Sequence, residues 1–476
     1  MTSSLFWYDY ETTGIDPRRD RPLQVAGIRT DEQLNEIGEP LNIYCRPSDD
    51  ILPHPAACLV TGITPQILAE KGLDEAEFMA RVHAQLALPG TCTVGYNSLR
   101  FDDEVTRYSL YRNFFDPYAR EWQGGNSRWD LIDLLRTAYA LRPEGINWPE
   151  EDGRVSLKLE RLTQANDIEH GQAHDALSDV RATIALARLL RSKQPKLYDY
   201  LYQLRSKQRV LDQVRLLQPL VHISGRFAGV RHYLGVVLPL AWHPRNRNAL
   251  IVCDLHSDIT SLLEEDAATL QRRLYTRREQ LTQGELPVPL KLLHINRCPV
   301  VAPLSVLREA DNQRLNLDMP LYQSRANQLR LAQNQWQDKL QQLYAEESFA
   351  PGVDPEQQLY DGFIGDRDRR LCEQVRRAEI TELAQGSWPF DDQRLPELLF
   401  RYRARNYPQS LNAEEQLRWQ LFCKQRLTES EWGAPLTLAQ FDQSMADVLP
   451  GLAPTQQTLL QAWREHAGQL RLRYGL

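Results

Sequence analysis

The chain has 476 residues, of which 42% are hydrophobic and 25% are charged, and its formal net charge at pH 7 is −7. These values are ordinary for globular proteins, so they exclude a disordered chain and predict two or three domains with substantial cores. An acidic chain repels nucleic acid on average, so any polyanion binding would need a local basic path.

The cysteines and the apolar runs limit the class of protein further. None of the seven cysteines belongs to a C-x-x-C pair, which argues against a zinc site or a disulfide framework and favours a reducing cytoplasm. No basic and apolar leader and no uninterrupted apolar run near 18 residues occurs, so we expect neither secretion nor a membrane span.

The first predicted element is a buried strand that begins at residues 5–8 and runs into Asp9-Tyr10-Glu11. Side chains alternate along a strand, so Asp9 and Glu11 share one face and Tyr10 takes the other. Two carboxylates held together repel each other unless a cation lies between them, and magnesium prefers carboxylate oxygens. An isolated D-x-E is more often a solvated strand end, so the metal interpretation depends on residues further along the chain.

A second acidic segment, which contains Asp102, follows three more predicted strands. Asn97 comes directly after the last of these strands, and Asp102 lies at the start of the helix that follows. A turn-rich segment at 31–38 is typical of antiparallel neighbours. The three strands are residues 23–28, 40–45 and 91–96.

A third acidic segment stands at the head of a helix predicted over residues 176–190. Here His174 precedes Asp179 by five residues. Asp9, Glu11, Asp102 and Asp179, together with His174, resemble in order and local context the acid set of the DEDD exonucleases, in the subclass that carries the histidine.

The first domain is predicted to end near residue 192. Helices are predicted at 129–139 and 157–162, and three leading strands followed by alternating strands and helices suit an RNase H-like α/β sheet. The segment 192–196, S-K-Q-P-K, breaks the helical pattern and is the predicted linker. The predicted exonuclease domain is residues 1–192.

Two further domains are predicted after the linker. Short β-type runs with turns between them, interrupted by a helix near 264–275, predict a small β-rich barrel or sandwich at 196–348. Helical composition dominates the predicted C-terminal domain, residues 351–476. The β-type runs are 220–224, 235–240, 248–253 and 299–302, and the helical segments are 321–346, 366–385, 394–404, 413–427, 436–448 and 455–471.

A path for a single strand needs positive charge along its length and flat faces for the bases. Taken singly, each aromatic residue is more often part of a core and each arginine part of a solvated face. As a group flanking the catalytic segments, however, the candidates indicate a single-strand channel. The candidates for this channel are Arg107, Tyr118, Trp122, Arg136, Lys158, Lys207, Asn248, Lys291 and Asn296, with Trp129 considered beside them. Leu177 is predicted to bind the substrate as well.

Longer stretches resemble the bacterial exonuclease I family over nearly the whole chain. They are residues 9–12 (D-Y-E-T), 62–66 (G-I-T-P-Q), 100–107 (R-F-D-D-E-V-T-R), 126–131 (N-S-R-W-D-L), 141–149 (L-R-P-E-G-I-N-W-P), 239–244 (P-L-A-W-H-P), 294–296 (H-I-N) and 401–406 (R-Y-R-A-R-N).

The resemblance implies an α/β RNase H-like exonuclease domain with a mixed sheet, followed by an SH3-like β-rich domain and a C-terminal α-helical domain. It implies processive 3′→5′ degradation of single-stranded DNA to 5′-mononucleotides in DNA repair and recombination. The implied cofactor is Mg²⁺, two ions per active site, with Mn²⁺ as a substitute. The implied partner is the acidic C-terminal tail of single-strand DNA-binding protein, bound in basic surface pockets. We expect a monomer, because a chain that encircles a strand needs no symmetry mate.

The resemblance also implies individual roles. Asp9 would bridge both ions, Glu11 and Asp179 would complete the site of the ion on the nucleophile side, and Asp102 would hold the second ion. His174 would take a proton from the attacking water, since a histidine has a pKa of about 6.5. Glu11 and Lys158 would touch the terminal nucleotide. Lys158 stands where the family is expected to have an arginine, which keeps the charge but not a bidentate grip.

Nearby acids and two other functions are the alternatives. Asp103, Glu104 and Asp175 could be metal ligands by chemistry, and only the motif pattern sets them aside. An RNase T-like or proofreading enzyme would share the active site, but a bare nuclease domain would end near residue 192. A catalytically silent strand-binding scaffold is disfavoured because all five catalytic positions are filled.

Overall fold

The structure is a computed structural model that describes residues 3–171, 175–345 and 352–476. It divides into two compact units, the first taking in residues 1–128, 169–184 and 350–476, and the second residues 129–168 and 185–349. Among the described residues, no helix combines the length and the apolar character needed to cross a bilayer.

The elements of these described ranges are numbered here in chain order. The strands are β1 (Ser4–Thr12), β2 (Pro22–Thr30), β3 (Leu41–Cys45), β4 (Gly72–Leu73), β5 (Thr91–Gly95), β6 (Ser127–Asp130), β7 (Glu150–Glu151), β8 (Arg154–Val155), β9 (Leu220–Ile223), β10 (Leu234–Trp242), β11 (Ala249–Asp254), β12 (Leu290–His294) and β13 (Val300–Pro303). The helices are α1 (Pro55–Thr61), α2 (Pro65–Lys71), α3 (Glu75–Leu86), α4 (Asp102–Arg112), α5 (Leu131–Leu141), α6 (Leu159–Ala165), α7 (Ala176–Lys193), α8 (Pro195–Gln203), α9 (Lys207–Gln213), α10 (Thr260–Glu264), α11 (Ala267–Tyr275), α12 (Glu309–Arg314), α13 (Met319–Leu331), α14 (Gln333–Leu343), α15 (Asp366–Arg377), α16 (Ile380–Gln385), α17 (Leu395–Asn406), α18 (Ala413–Thr428), α19 (Leu438–Val448) and α20 (Pro454–Tyr474).

The first unit is built on a mixed sheet with β1 at its centre. The strand order is β4-β3-β2-β1-β5-β6, with β1 antiparallel to β2 and parallel to β5. A central strand covered on both faces needs a continuous apolar run, which β1 supplies from Leu5 to Tyr8. The indole N–H of the fully buried Trp7 donates to Thr30 Oγ1 at 3.0 Å, which satisfies the polar atom of this large side chain. The predicted mixed sheet is confirmed.

The C-terminal helices α19 and α20 share a hydrophobic core with helix α2 of the first unit. Phe441 of α19 and Trp463 of α20 are buried in one cluster with Leu68 of α2. The indole N–H of Trp463 donates to the carbonyl of Ile63 at 3.0 Å. A buried ion network adds polar contacts between the same parts of the chain, including Arg21–Glu356 at 2.5 Å, Arg405–Asp50 at 2.8 Å and Arg426–Asp354 at 3.3 Å.

The second unit contains the β-rich domain. Strands β9 to β13 form an antiparallel sheet in the order β12-β11-β10-β9-β13. Helices α8 and α9 precede the sheet and α10 and α11 are inserted between β11 and β12, as the helical pattern near 264–275 predicts.

The helix predicted over 129–139 is wrong at its start. Trp129 and Asp130 end strand β6, and α5 begins at Leu131. Asp130 Oδ1 accepts a hydrogen bond from the N–H of Ile132 at 3.1 Å, so this aspartate is the N-cap of the helix. The ring of Trp129 is buried edge-on against Tyr198 at 5.2 Å, which is core packing and not a surface that a strand could reach.

The predicted break at 192–196 is only one residue long. Helix α7 continues to Lys193, and α8 begins at Pro195, whose ring fits the first helical position. Strand β12 and the β7–β8 hairpin are further elements that the sequence pattern did not indicate.

Candidate active site

The predicted acids of the first and third segments meet beside the central strand. One carboxylate oxygen from each of Asp9, Glu11 and Asp179 lies within 4.8 Å of the others. The parallel pairing of β1 with β5 stops at Trp7 and Val94, so Asp9 and Glu11 occupy the part of β1 just beyond that pairing. The carboxyl ends of parallel strands are where α/β sheets form binding crevices. Asp179 comes from the first turn of α7, where a helix favours negative charge.

Asp102 belongs to the same electrostatic group by a different contact. Its side chain is 4% exposed, and Oδ1 accepts a hydrogen bond from the backbone N–H of Tyr10 at 3.1 Å. This bond fixes the start of α4 against β1, between the two acids of that strand. The turn before the helix uses a left-handed residue, Asn97, with φ 61°.

The carboxylates of the cluster destabilise one another when they are ionised. Burial raises the pKa of Asp9 well above its usual range, and Asp102, Glu11 and Asp179 raise it further. Burial, then Asp179, Asp102 and Asp175, raise the pKa of Glu11 to about 8. Four carboxylates in one partly desolvated place resist ionising together, and a hard cation reverses that penalty. The donor set therefore fits a divalent metal such as magnesium.

An imidazole absent from the predicted set reaches Asp179. His170 Nε2 lies 2.6 Å from Asp179 Oδ1, and the ring is nearly buried. The predicted proton acceptor, His174, lies outside the described residues, so its role stays a prediction. The signal that could have found His170 is its place nine residues before Asp179, in the loop that leads into α7.

Asp103 and Glu104, which the motif pattern set aside, have structural partners. Asp103 lies 2.6 Å from Arg120 and 2.7 Å from Arg128. Burial alone would raise the pKa of Asp103, but these two guanidinium groups outweigh it and hold the pKa well below its usual range. Glu104 accepts a hydrogen bond from Arg107 at 2.5 Å. Neither carboxylate belongs to the metal-ligand group among the described residues.

Asp175 caps the helix that carries Asp179. Its Oδ2 accepts a hydrogen bond from the N–H of Ser178 at 3.1 Å, as an N-cap side chain does. Asp175 also contributes to the raised pKa of Glu11, so it lies near the acidic group.

The predicted strand-contact residues of the first unit differ in exposure. Arg107 is buried, donates to both oxygens of Glu121 at 2.7 and 2.9 Å, and lies over the ring of Tyr118 at 5.5 Å. Trp122 is 65% exposed, so its ring is accessible for stacking. Leu177 is partly buried on the first turn of α7. Their contact with DNA stays a prediction.

Two predicted strand-contact residues lie in the part of the second unit before residue 169. Lys158 is exposed, and its Nζ lies 3.2 Å from Glu151. Arg136 is buried, donates to Asp133 at 2.6 Å and lies over the ring of Tyr233. The ion pair accounts for the buried charge of Arg136, and strand contact stays a prediction for both residues.

The β-rich domain brings two further predicted residues together. Lys207 Nζ donates to Asn248 Oδ1 at 2.6 Å. Lys291 Nζ lies 2.9 Å from His222 Nε2, and Asn296 is exposed. Strand contact stays a prediction for these residues as well.

Three family models match consecutive parts of the chain. The model described as Exonuclease matches residues 6–187, the Exonuclease I SH3-like domain matches 205–346, and the Exonuclease I C-terminal domain matches 353–470. The three-part fold class predicted from the sequence is thereby confirmed, while the exact domain boundaries stay predictions.

Two relatives that align with most of this chain are both named exodeoxyribonuclease I. The chain is 50% identical to exodeoxyribonuclease I of Escherichia coli over 423 residues, 88% of each protein. It is 45% identical to exodeoxyribonuclease I of Haemophilus influenzae over 459 residues, 95% of this chain and 97% of the relative.

Solved structures of exonuclease I are similar to this structure over almost the full length of the chain. E. coli exonuclease I in complex with a dA16 oligonucleotide superposes with a TM-score of 0.94 at 46% identity, covering 98% of this chain and 100% of that one. The zinc-ion-bound form of the E. coli exonuclease I complex with single-stranded DNA gives 0.93 at 45% identity, covering 99% and 100%. A moderately thermophilic exonuclease I from Methylocaldum szegediense gives 0.93 at 48% identity, covering 98% and 99%.

Proposed function

The chain belongs to the exonuclease I family, and from that premise we propose that it is a metal-dependent 3′→5′ exonuclease that degrades single-stranded DNA processively to 5′-mononucleotides. The observation that carries the proposal is the convergence of Asp9, Glu11 and Asp179 within 4.8 Å. Relatives at 45% to 50% identity are exodeoxyribonucleases, and one of them is bound to an oligonucleotide. We propose a role in DNA repair and recombination on the same basis.

The acids are the proposed metal ligands. Asp9, Glu11, Asp102 and Asp179 would hold two Mg²⁺ ions, for which Mn²⁺ could substitute. When bound, the ions would lower the pKa of a water molecule and neutralise the charge that develops on the leaving oxygen. The raised pKa values of Asp9 and Glu11 support this assignment, because burial and the neighbouring carboxylates both disfavour ionisation and a cation would offset them.

Other side chains would move the proton and align the substrate. His174 would take the proton of the attacking water, as a neutral imidazole can near neutral pH. His170 would keep the Asp179 carboxylate in one orientation through its 2.6 Å contact. Glu11 and Lys158 would contact the terminal nucleotide.

We also propose that the remaining candidates form the path of the strand. Exposed Trp122 suits stacking on a base, because aromatic faces bind bases without regard to sequence. Lys207, Lys291 and the amides Asn248 and Asn296 suit phosphate and sugar contacts. The three proposed domains, residues 1–192, 196–348 and 351–476, would all belong to one monomer.

We propose the acidic tail of single-strand DNA-binding protein as the protein partner. A cavity of about 470 Å³ in the second unit is lined mostly by apolar residues, together with the basic residues Arg142 and Lys196. Apolar contact with a chain end and charge attraction to acidic residues would combine there. A labelled acidic tail peptide should bind the wild type and bind more weakly to Arg142→Ala. Equal affinity for both would exclude this cavity.

Digestion of labelled oligonucleotides tests the proposed activity. With magnesium, single-stranded DNA should lose a 3′ label at once, while duplex DNA and RNA should be degraded much more slowly. EDTA should stop the reaction. Equal rates on RNA or duplex DNA would instead favour an RNase T-like or proofreading enzyme.

A further inference from the structure

His222 and Lys291 make a partly buried contact across the β-rich sheet of the second unit. Lys291 Nζ lies 2.9 Å from His222 Nε2. His222 is on β9 and Lys291 on β12, with β10 and β11 between them in the sheet order. Strands are about 4.8 Å apart, so three steps on a flat sheet would exceed the reach of a lysine. The sheet must therefore curl enough to bring this lysine back over β9.

The contact of His222 Nδ1 determines which tautomer of the ring faces Lys291. His222 Nδ1 lies 2.8 Å from the carbonyl oxygen of Val300, which can only accept a hydrogen bond. Nδ1 therefore carries the proton, and Nε2 is left as an acceptor for the Lys291 ammonium. Burial, and then the charge of Lys291, lower the pKa of His222 to about 3, so the ring is neutral in this role.

An aromatic ring holds the same ammonium from a second side. Lys291 Nζ lies 4.2 Å from the ring centroid of Phe227, a cation–π distance. The ring is itself fixed, because His222 packs edge-on against it at 5.7 Å and a Cβ on Gly235 would overlap it. Arg231 lies over the same ring at 5.0 Å.

We propose that His222 is a positioning residue, which with Phe227 holds the Lys291 ammonium where it meets a phosphate of single-stranded DNA. The inference rests on the proposed function, which includes Lys291 in the path of the strand. A lysine has a long flexible side chain that loses rotamer freedom when it binds. A lysine ordered before DNA arrives binds phosphate at a smaller entropic cost.

Two isosteric replacements separate the two sides of the His222 ring. In His222→Asn the side-chain amide nitrogen takes the place of Nδ1, which keeps the Val300 contact and removes the acceptor for Lys291. In His222→Gln the side-chain amide reaches the place of Nε2, which keeps an acceptor for Lys291. If His222 had only a structural role, both variants would weaken DNA binding equally, or the variant that loses the Val300 contact would bind more weakly.

Binding of a fluorescent oligothymidylate in EDTA measures the effect without hydrolysis. Lys291→Met should raise Kd by about ten-fold, as expected for a lost charged hydrogen bond, and should reduce the slope of log Kd against log salt by about 0.7. His222→Asn should reproduce at least half of that loss in log Kd, and His222→Gln should bind within about two-fold of the wild type. The double variant His222→Asn with Lys291→Met should bind no more weakly than Lys291→Met alone.

Three outcomes would overturn the positioning role. They are additive losses in the double variant, wild-type affinity of His222→Asn, and wild-type affinity of Lys291→Met. Each would leave the proposed function standing if the wild type still degrades single-stranded DNA, whereas a wild type that binds no strand would remove the proposed function itself. Should His222→Asn fail to fold in a thermal melt, Phe227→Leu replaces it. This variant should weaken binding less than Lys291→Met does and have no effect in the Lys291→Met background, and any effect there would contradict the inference.

Discussion

The metal-free protein should be more stable with a neutral side chain in place of Glu11. The pKa of Glu11 is raised from 4.5 to about 8, so the native state keeps a proton that the unfolded chain releases. The stability that this proton contributes is fully present below about pH 4.5 and is lost as the pH rises to about 8, at about 1.4 kcal/mol per pH unit. Glutamine does not ionise, so Glu11→Gln should not show this loss.

The size of the effect follows from the pKa shift. At pH 7 the interval above 4.5 is roughly 2.5 pH units, which corresponds to about 3 kcal/mol. Glu11 is 7% exposed, so solvent screens the repulsion only weakly. The first unit has roughly 270 residues, and an unfolding entropy of about 2.1 cal/mol/K per residue converts 3 kcal/mol into about 5 °C of Tm.

Calorimetric melts of wild type and Glu11→Gln in EDTA, from about pH 5 to about pH 8, measure this difference. The Tm advantage of the variant should grow with pH, and excess magnesium should cancel or reverse it, because only the wild type keeps all ligands. Glu104→Gln is the matched control, since it removes a carboxylate paired with Arg107 and should lower Tm. A Glu11→Gln protein that melts at or below the wild-type Tm at pH 7 in EDTA would refute the reasoning.

Three further substitutions test other parts of the molecule. Asp9→Asn should lower the rate of single-stranded DNA hydrolysis by roughly three orders of magnitude or more, since charge stabilisation is usually the largest catalytic contribution. His170→Phe should lower kcat by roughly ten- to a hundred-fold with little change in KM, because Asp179 loses its 2.6 Å contact. Arg426→Met should lower the free energy of unfolding by about 3 kcal/mol in a urea titration, because Asp50 and Asp354 each lose a buried partner.

Each of these substitutions has its own control. Asp9→Asn should still bind an oligonucleotide in EDTA, and loss of binding together with activity would point to misfolding. His170→Gln keeps a donor near the place of Nε2 and should retain more activity than His170→Phe; equal activities would exclude a positioning role. Arg418→Met removes an exposed pair with Glu397 and should cost less than about 1 kcal/mol.

The acidic site could be predicted because its signals are local. Alternation along one strand places Asp9 and Glu11 on one face whatever surrounds them. The order of the motifs then identified Asp102 and Asp179 as their companions. His170 was not found, because an imidazole that contacts a carboxylate nine residues away depends on the path of the loop before α7.

The sequence alone does not show which arginines are exposed and which are held in ion pairs. Arg107 reads as one charge of a basic channel, but its partners Glu121 and Tyr360 lie 14 and 253 residues away. Ion pairs of this range are set by the fold, so exposure and availability follow only from the structure. The start of α5 differs from the prediction because Trp129 and Asp130 suit a helical pattern, although they end strand β6.

The most direct test of the central claim compares one oligonucleotide labelled at its 3′ end with the same oligonucleotide labelled at its 5′ end. With magnesium, a 3′-labelled single strand should release labelled mononucleotide from the first turnover, whereas a 5′ label should stay on shortening strands, and the Asp9→Asn protein should do neither. Release of the label in EDTA, or the same rate for Asp9→Asn as for the wild type, would contradict a hydrolytic metal centre at these carboxylates.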